Sequence, residues 1–376
     1  MTSPGWRERL LALAAELEGK VDAAMSRRAD RKGRRDPLII HSYRGYGTDG
    51  RVRVRGRVLE DEGIPAAGER DSSWRNVLNA LRRFESDEVP GARVRVRIGG
   101  AVQELVTDAE GYFDTWIAPR EALPADKLWH DVALELLAPR NPVHASPIAI
   151  GRVLIPSATA KLGVISDLDD TVVQTGATDA RALLRSVFLA NARTRLPFPG
   201  VASLYRALQQ GVDGDQNNPV FYVSSSPWNL YDVLSEFLAL REMPEGPIML
   251  RDWGLSEREL LPTTHGSHKI EAIRSIVELY PTLPFVLIGD SGQEDPEIYR
   301  EIVARYPSRI LAIYIRNVTP DARRADRIRA LAREVSEAQS ELLLVKDSSE
   351  VATHALDRGW IDGAALDRVI ADVERE

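Results

Sequence analysis

Leu162-Gly-Val-Ile-Ser-Asp-Leu-Asp-Asp-Thr171 sets a short apolar run directly against three acids and a threonine. Leu162, Val164 and Ile165 read as the end of a buried strand, so Asp167, Asp169 and Thr171 emerge where that strand leaves the sheet. In open α/β sheets, ligands bind outside the carboxyl ends of the strands. Charge gathered beside a core is costly unless a metal or a reaction uses it. Two carboxylates in an Asp-x-Asp-x-Thr pattern can divide two jobs. One attacks an electrophile and forms a covalent intermediate; the other protonates the leaving group and later takes a proton from water. Carboxylates also suit Mg²⁺, which sits on one or two of them plus substrate phosphate. A loop whose acids cap the next helix, or a calcium-binding turn, is the competing reading of this segment alone.

Downstream segments shift that balance. Val220-Phe-Tyr-Val223 is a second buried-type strand and runs into Ser224-Ser225-Ser226-Pro227. Leu283-Pro-Phe-Val-Leu-Ile288 is a third and runs into Gly289-Asp290-Ser-Gly-Gln-Glu-Asp295. Between them His268-Lys269 opens a pattern in which Ile270, Ile273, Ile276, Val277 and Tyr280 recur at helical spacing. Three strand ends and one helix start therefore present a convergent polar set.

In that order the four segments resemble the haloacid dehalogenase superfamily of phosphotransferases. The resemblance implies that Asp167 is the nucleophile, Asp169 the general acid/base and Thr171 the support of their loop. It implies that Ser224 hydrogen-bonds the phosphoryl group and that Lys269 steadies both nucleophile and phosphoryl charge. Asp290, with Asp295 behind it, would hold Mg²⁺ together with Asp167 and Asp169. Ser225 and Ser226 are further substrate-binding candidates, and Arg251-Asp252 either reaches the substrate phosphate or forms a structural ion pair. The second acid separates a phosphatase from a dehalogenase, because a halide needs no proton to leave. A phosphate monoester dianion repels a carboxylate, so a cation and Lys269 must offset that charge.

A narrower similarity covers about residues 38 to 360. Ser224-Ser-Ser-Pro-Trp-Asn-Leu-Tyr231, Leu250-Arg-Asp-Trp-Gly254, His268-Lys269 and the run Gly289–Tyr299 are similar to the phosphatidate phosphatases related to the yeast actin-patch enzyme. Upstream, Tyr43-Arg-Gly-Tyr-Gly-Thr48 is similar as well. This resemblance implies Mg²⁺-dependent conversion of phosphatidate to diacylglycerol. Two alternatives stand beside it: a phosphatase acting on a soluble or protein phosphate ester, and a membrane-associated scaffold with a vestigial site.

Residues 172–219 and 227–267 fill the intervals where such enzymes insert a cap. Neither has obvious room for a full extra domain, so an open site suited to a large or membrane-resident substrate is expected. His265 and His268 flank Lys269, but carboxylates dominate the set and histidine ligation of a metal is not expected. Trp228 reads as packing over the site, with lipid contact as the other role. Asp170 either binds the helix start or tunes the acid pair. Gly289 is expected to let the backbone turn tightly so that Asp290 faces the metal.

The chain has 376 residues, room for two domains, and a net charge of −7, too mild to argue for or against nucleic acid. Without cysteine it has neither disulfides nor thiol chemistry. No signal peptide or membrane-spanning apolar stretch is visible, so the default placement is cytoplasmic, with a peripheral place on the inner membrane surface open to it. Residues 1–36 read as an amphipathic helix and basic linker. Residues 37–158 read as an antiparallel β-sandwich, transthyretin- or Ig-like, with a helical insertion near 60–90. Residues 159–376 alternate strands and helices, the pattern of an α/β domain with a Rossmannoid parallel sheet like that of the haloacid dehalogenases. Arg51-Val-Arg-Val-Arg55 and Arg93-Val-Arg-Val-Arg97 alternate with a period of two, which turns valines inward and arginines outward. Two arginine-faced strands could dock on an anionic membrane or form an ordinary solvated face. Nucleic acid is not expected, because no stacking aromatics interleave with them.

Overall fold

The computed structural model describes residues 37–60, 88–140, 145–168, 199–251, 265–318 and 321–375. The opening helix and basic linker, the insertion at 61–87 and the helical stretch expected around Ala180–Phe188 lie outside these residues.

The N-terminal strands are β1 (Leu38–Thr48), β2 (Arg51–Glu60), β3 (Arg93–Ile98), β4 (Ala101–Val106), β5 (Tyr112–Ile117), β6 (Trp129–Ala138) and β7 (Ile148–Leu154). Their valines point inward as expected: Val52, Val54, Val94 and Val96 are buried with Phe113, Leu134 and Val153. The sandwich expectation does not hold in detail. All seven strands form one hydrogen-bonded sheet in the order β4-β3-β6-β7-β1-β2-β5, and β1 runs parallel to β7. The sheet twists until its edge strands meet, where Gln103 Nε2 donates to Thr115 Oγ1 at 3.0 Å. A two-residue period reports which face is buried, not which strand lies beside which.

The second sheet is parallel throughout. Its strands are β8 (Gly163–Asp167), β9 (Val220–Pro227), β10 (Ile248–Arg251), β11 (Phe285–Asp290), β12 (Ile310–Arg316) and β13 (Glu341–Val345), in the order β10-β9-β8-β11-β12-β13. Because helices cover both faces, its strands read as continuous apolar runs instead of alternating ones. Helices α1 (Val201–Gln210), α2 (Tyr231–Leu240), α6 (Ser348–Asp357) and α7 (Gly363–Arg375) cover one face. Helices α3 (His265–Leu279), α4 (Asp295–Arg305) and α5 (Ala322–Glu337) cover the other. The chain builds outward from β8 to β9 and β10, then crosses to β11 on the opposite side. That switch point, between β8 and its two neighbours, is where a ligand crevice forms.

The Tyr43–Thr48 segment joins the two sheets. Tyr43 pairs with Arg55 and Tyr46 with Arg53, three residues on β1 against two on β2. This one-residue bulge turns both tyrosines toward the parallel sheet, although strict alternation would separate them. The Tyr43 ring lies 4.3 Å from Tyr231 and 5.3 Å from Trp228, while Tyr46 meets the edge of Phe221 at 6.2 Å. The Arg44 amide donates to the Tyr231 hydroxyl at 2.7 Å, and the Arg44 guanidinium pairs with Glu245 at 3.0 Å.

The arginine-faced strands behave differently from a bare basic surface. Arg55 does not face solvent: its guanidinium lies over the Trp228 ring at 4.1 Å and shares Asp114 with Arg53. Arg93, Arg95 and Arg97 do face outward, but Glu104 and Glu135 on the adjacent strands pair with them at 2.7 to 3.2 Å. Among the described residues no helix is long and apolar enough to cross a membrane.

Candidate active site

Asp167 ends β8 in register with Val223, so the first acid of the opening motif stands beside the start of the serine run. Lys269 reaches the same point from the start of the second turn of α3. Its ammonium lies 2.8 Å from Asp167 Oδ1 and 2.9 Å from Asp295 Oδ1, and it donates to Gln293 Oε1 at 3.2 Å. The side chains of Lys269, Asp167 and Asp295 are at most 4% exposed. Asp290 ends β11, and its amide donates to Asp295 Oδ2 at 3.1 Å. Its carboxylate accepts from the Gly292 amide at 2.7 Å.

One oxygen each from Asp167, Asp290 and Asp295 lies within 4.8 Å of the others. Three carboxylates gather about the Lys269 ammonium in a nearly dry place, with Arg316 on the wall of the adjoining cavity. A divalent cation is the partner that such a set can hold, since carboxylate oxygens suit hard cations and buried charges need compensation. His268 stands beside Lys269 but is not among the clustered ligands, and of the His265 side chain nothing is described. The same acids act on a neighbour. Burial, then Asp295 and Asp167, push the Tyr299 hydroxyl well above the ordinary tyrosine range, and it donates to the Ile288 carbonyl.

Gly289 matters for a reason other than the expected one. It is absent from the glycines with positive φ, so a tight turn is not what demands it. A Cβ there would come within 2.9 Å of Asp295 Cβ, and closer still to its carboxylate. Gly289→Ala is therefore expected to displace Asp295 and cost about 1–3 kcal/mol, as overpacking does. Urea unfolding would read that loss, and a variant as stable as wild type would refute the close-approach argument.

The serine run sits in an irregularity of β9. Met249 and Arg251 of β10 pair with Val223 and Pro227, so β9 carries two more residues than its partner there. Bulges of this kind re-aim side chains beside active sites. Ser224 is fully buried, and its Oγ accepts from the Ser226 amide at 3.1 Å, which leaves the Ser224 O–H to donate elsewhere. Arg251 ends β10 opposite Pro227 and is half-buried; Asp252 lies outside the described residues, as do Asp169, Asp170 and Thr171.

Two residues at this site were not singled out by sequence reasoning. Gln293 touches Lys269, and its only signal was a place inside the acidic run. Arg324 lies on α5, which reads as a charged surface helix. Its guanidinium donates to the Ser291 carbonyl at 3.0 Å and pairs with Glu297, clamping the loop between Asp290 and Asp295. A cavity of about 130 Å³ opens beside the acids, walled by Asp167, Asp290 and Arg316 and by apolar Leu204, Phe237 and Met243.

A buried acid triad crossed by one lysine, at the switch point of a parallel sheet, is matched by a known family. Residues 162–317 match the family described as phosphatidate phosphatase APP1, catalytic domain. The matched span contains Asp167, Ser224, Lys269, Asp290 and Asp295, whereas the N-terminal sheet lies outside it. The phosphatidate phosphatase APP1 of Saccharomyces cerevisiae is 34% identical over 174 residues, 46% of this chain and 29% of that protein. An uncharacterized protein of Schizosaccharomyces pombe is 35% identical over 165 residues, 43% of this chain and 26% of its own length. The chain thus spans less than a third of the curated relatives it matches. Of solved structures, the PilB minor pilin from Streptococcus sanguinis aligns over 98% of this chain and 97% of its own, at 10% identity and a TM-score of 0.26. That likeness carries no argument.

Proposed function

We propose that this chain is a Mg²⁺-dependent phosphatase that removes the phosphate from phosphatidate through a phosphorylated Asp167. The observation that carries the proposal is Lys269, buried between Asp167 and Asp295 with Asp290 close enough to share one cation. The fit to a haloacid dehalogenase-like phosphatase rests on the order of these residues along the sheet, and the lipid substrate rests on the similarity of residues 162–317 to the phosphatidate phosphatase family.

Mg²⁺ bound by Asp167, Asp290, Asp295 and Asp169 would neutralise phosphoryl charge as the nucleophile approaches. Lys269 contributes a fixed positive charge to the same end and holds the Asp167 carboxylate in place. The Ser224 hydroxyl donates to a phosphoryl oxygen, with Ser225, Ser226 and Arg251 lining the substrate. Asp167 attacks phosphorus, the phosphorus–oxygen bond to the alcohol breaks, and Asp169 gives its proton to the departing alkoxide. Asp169 then takes a proton from water, whose oxygen attacks the acyl phosphate; phosphate leaves and the Asp167 carboxylate returns. Thr171 supports the loop that carries both acids.

In this proposal residues 159–376 form the catalytic domain, residues 37–158 a positioning module and residues 1–36 a helix and basic linker. The protein works from the cytoplasm on an anionic membrane surface. The exposed Val102, Val106, Ile148 and Ile150 of the N-terminal sheet, set among the arginines of β3, would touch that surface.

Phosphate release from phosphatidate vesicles and from an aryl phosphate, each with Mg²⁺ or a chelator, tests the reading. Release from both, lost on chelation, is expected. Activity on neither would sink the enzyme, and activity on the aryl phosphate alone would sink the lipid. Vesicle attachment that does not weaken as salt rises would remove the electrostatic part of the surface contact.

A further inference from the structure

Two hydrogen-bond donors directly beyond Ser224 have no partner among the described residues. Ser226 is 1% exposed, and its Oγ is sealed from solvent without a hydrogen bond; the same is true of the Trp228 indole nitrogen, Nε1. Buried donors left unsatisfied bear a desolvation penalty and are rare enough that each needs an explanation. These two lie on either side of Pro227, at the end of the β9 irregularity. Three side chains pack on the Trp228 ring: Tyr43 and Tyr231 stack on it at 5.3 and 6.0 Å, and the Arg55 guanidinium caps it at 4.1 Å. Arg55 is held by Asp114, which Arg53 also grips. The N–H of a clamped indole is thus presented by residues of the N-terminal sheet, outside the span matched by the phosphatase family.

We infer that Ser226 Oγ and Trp228 Nε1 bind the ester carbonyl oxygens of an acylated alcohol phosphate, and that Tyr43 and Arg55 are the positioning residues that aim the indole. This inference rests on the proposed reaction and adds to it the feature by which a diacyl ester is chosen. Both donors are neutral, and Arg55, which caps the indole, is already engaged by Asp114. That chemistry suits a neutral carbonyl better than a second phosphate. The first ester carbonyl of such a lipid stands only a few bonds from phosphorus, and Trp228 stands four residues past Ser224.

The test compares kcat/KM for dioctanoyl phosphatidate with that for its dialkyl ether analogue, which keeps the phosphate and both chains but lacks the carbonyls. Both are presented in mixed micelles with Mg²⁺ to wild type, Trp228→Phe and Ser226→Ala. Wild type is expected to prefer the ester by about tenfold, the scale of one or two hydrogen bonds. Trp228→Phe keeps the stacked ring and should bring that preference toward unity, with Ser226→Ala in the same direction. A purely structural role would lower both rates together and leave the ratio intact, which would overturn the inference. So would a wild type that does not distinguish ester from ether. Hydrolysis of neither lipid, with the aryl phosphate still cleaved, would instead overturn the lipid substrate itself.

Discussion

Asp167→Asn is expected to lower phosphate release by at least about a thousandfold while the protein stays folded. The amide keeps the shape of the carboxylate and an oxygen for Lys269 to donate to, but it cannot form the acyl phosphate. Its effect on stability separates this loss from collapse of the site. Asp167 and Asp295 share one ammonium with Asp290 close beside them, so removing one negative charge relieves repulsion and should leave the unfolding midpoint without Mg²⁺ unchanged or higher. The stabilisation by added Mg²⁺ should shrink, because one of the clustered ligands is gone. A saturating cation at about a hundred times its dissociation constant would give wild type roughly 2.7 kcal/mol. Thermal unfolding with and without Mg²⁺, beside the activity assay, checks all three. An active Asp167→Asn enzyme would refute the nucleophile.

Lys269→Met should show the opposite pattern. The substitution takes from Asp167 and Asp295 the ammonium that both pair with in a dry cluster, and breaking a buried ion pair from one side costs about 3–5 kcal/mol. Against a total stability of about 5–15 kcal/mol that is a large share. Added Mg²⁺ should restore much of it, since the cation supplies the missing positive charge. Activity should stay low even in the folded, Mg²⁺-loaded variant, by about a hundredfold or more, because no fixed ammonium meets the phosphoryl group. Urea titrations with Mg²⁺ or chelator measure the first effect. A loss below about 1 kcal/mol in chelator would mean that the acids protonate or part instead of needing Lys269.

Much of the catalytic half could be read from local patterns. Apolar runs that end in Asp167, in the Ser224 run and in Gly289-Asp290 are strands buried on both faces, and the acid cluster gathers where they stop. Lys269 was recognisable because a helical period begins beside it. What escaped reading depends on contacts distant in sequence. The alternation of Arg51–Arg55 gives the direction of each side chain, but nothing in it announces that Trp228 lies under Arg55. Nor does the period of β3 or β6 disclose that one sheet curls to meet its own edge. Gly289 reads in the sequence as a tight turn, and only the fold reveals that the close approach of Asp295 is what demands it. Arg324 reads as one charge among many on an exposed helix until its carbonyl partners come into view.

The irregularity between Tyr43 and Tyr46 carries a consequence for how this segment can change in evolution. Parity governs it: one more residue, or one fewer, would swing Tyr46 through the sheet into the interior and expose its neighbour. Gly45 and Gly47 add a second restriction, because backbone carbonyls of Arg53 and Arg51 already fill the space that any side chain there would need. Length changes at the joint are therefore admissible only in twos, and only in company with glycine, which makes this short stretch a stricter record of descent than the strands around it.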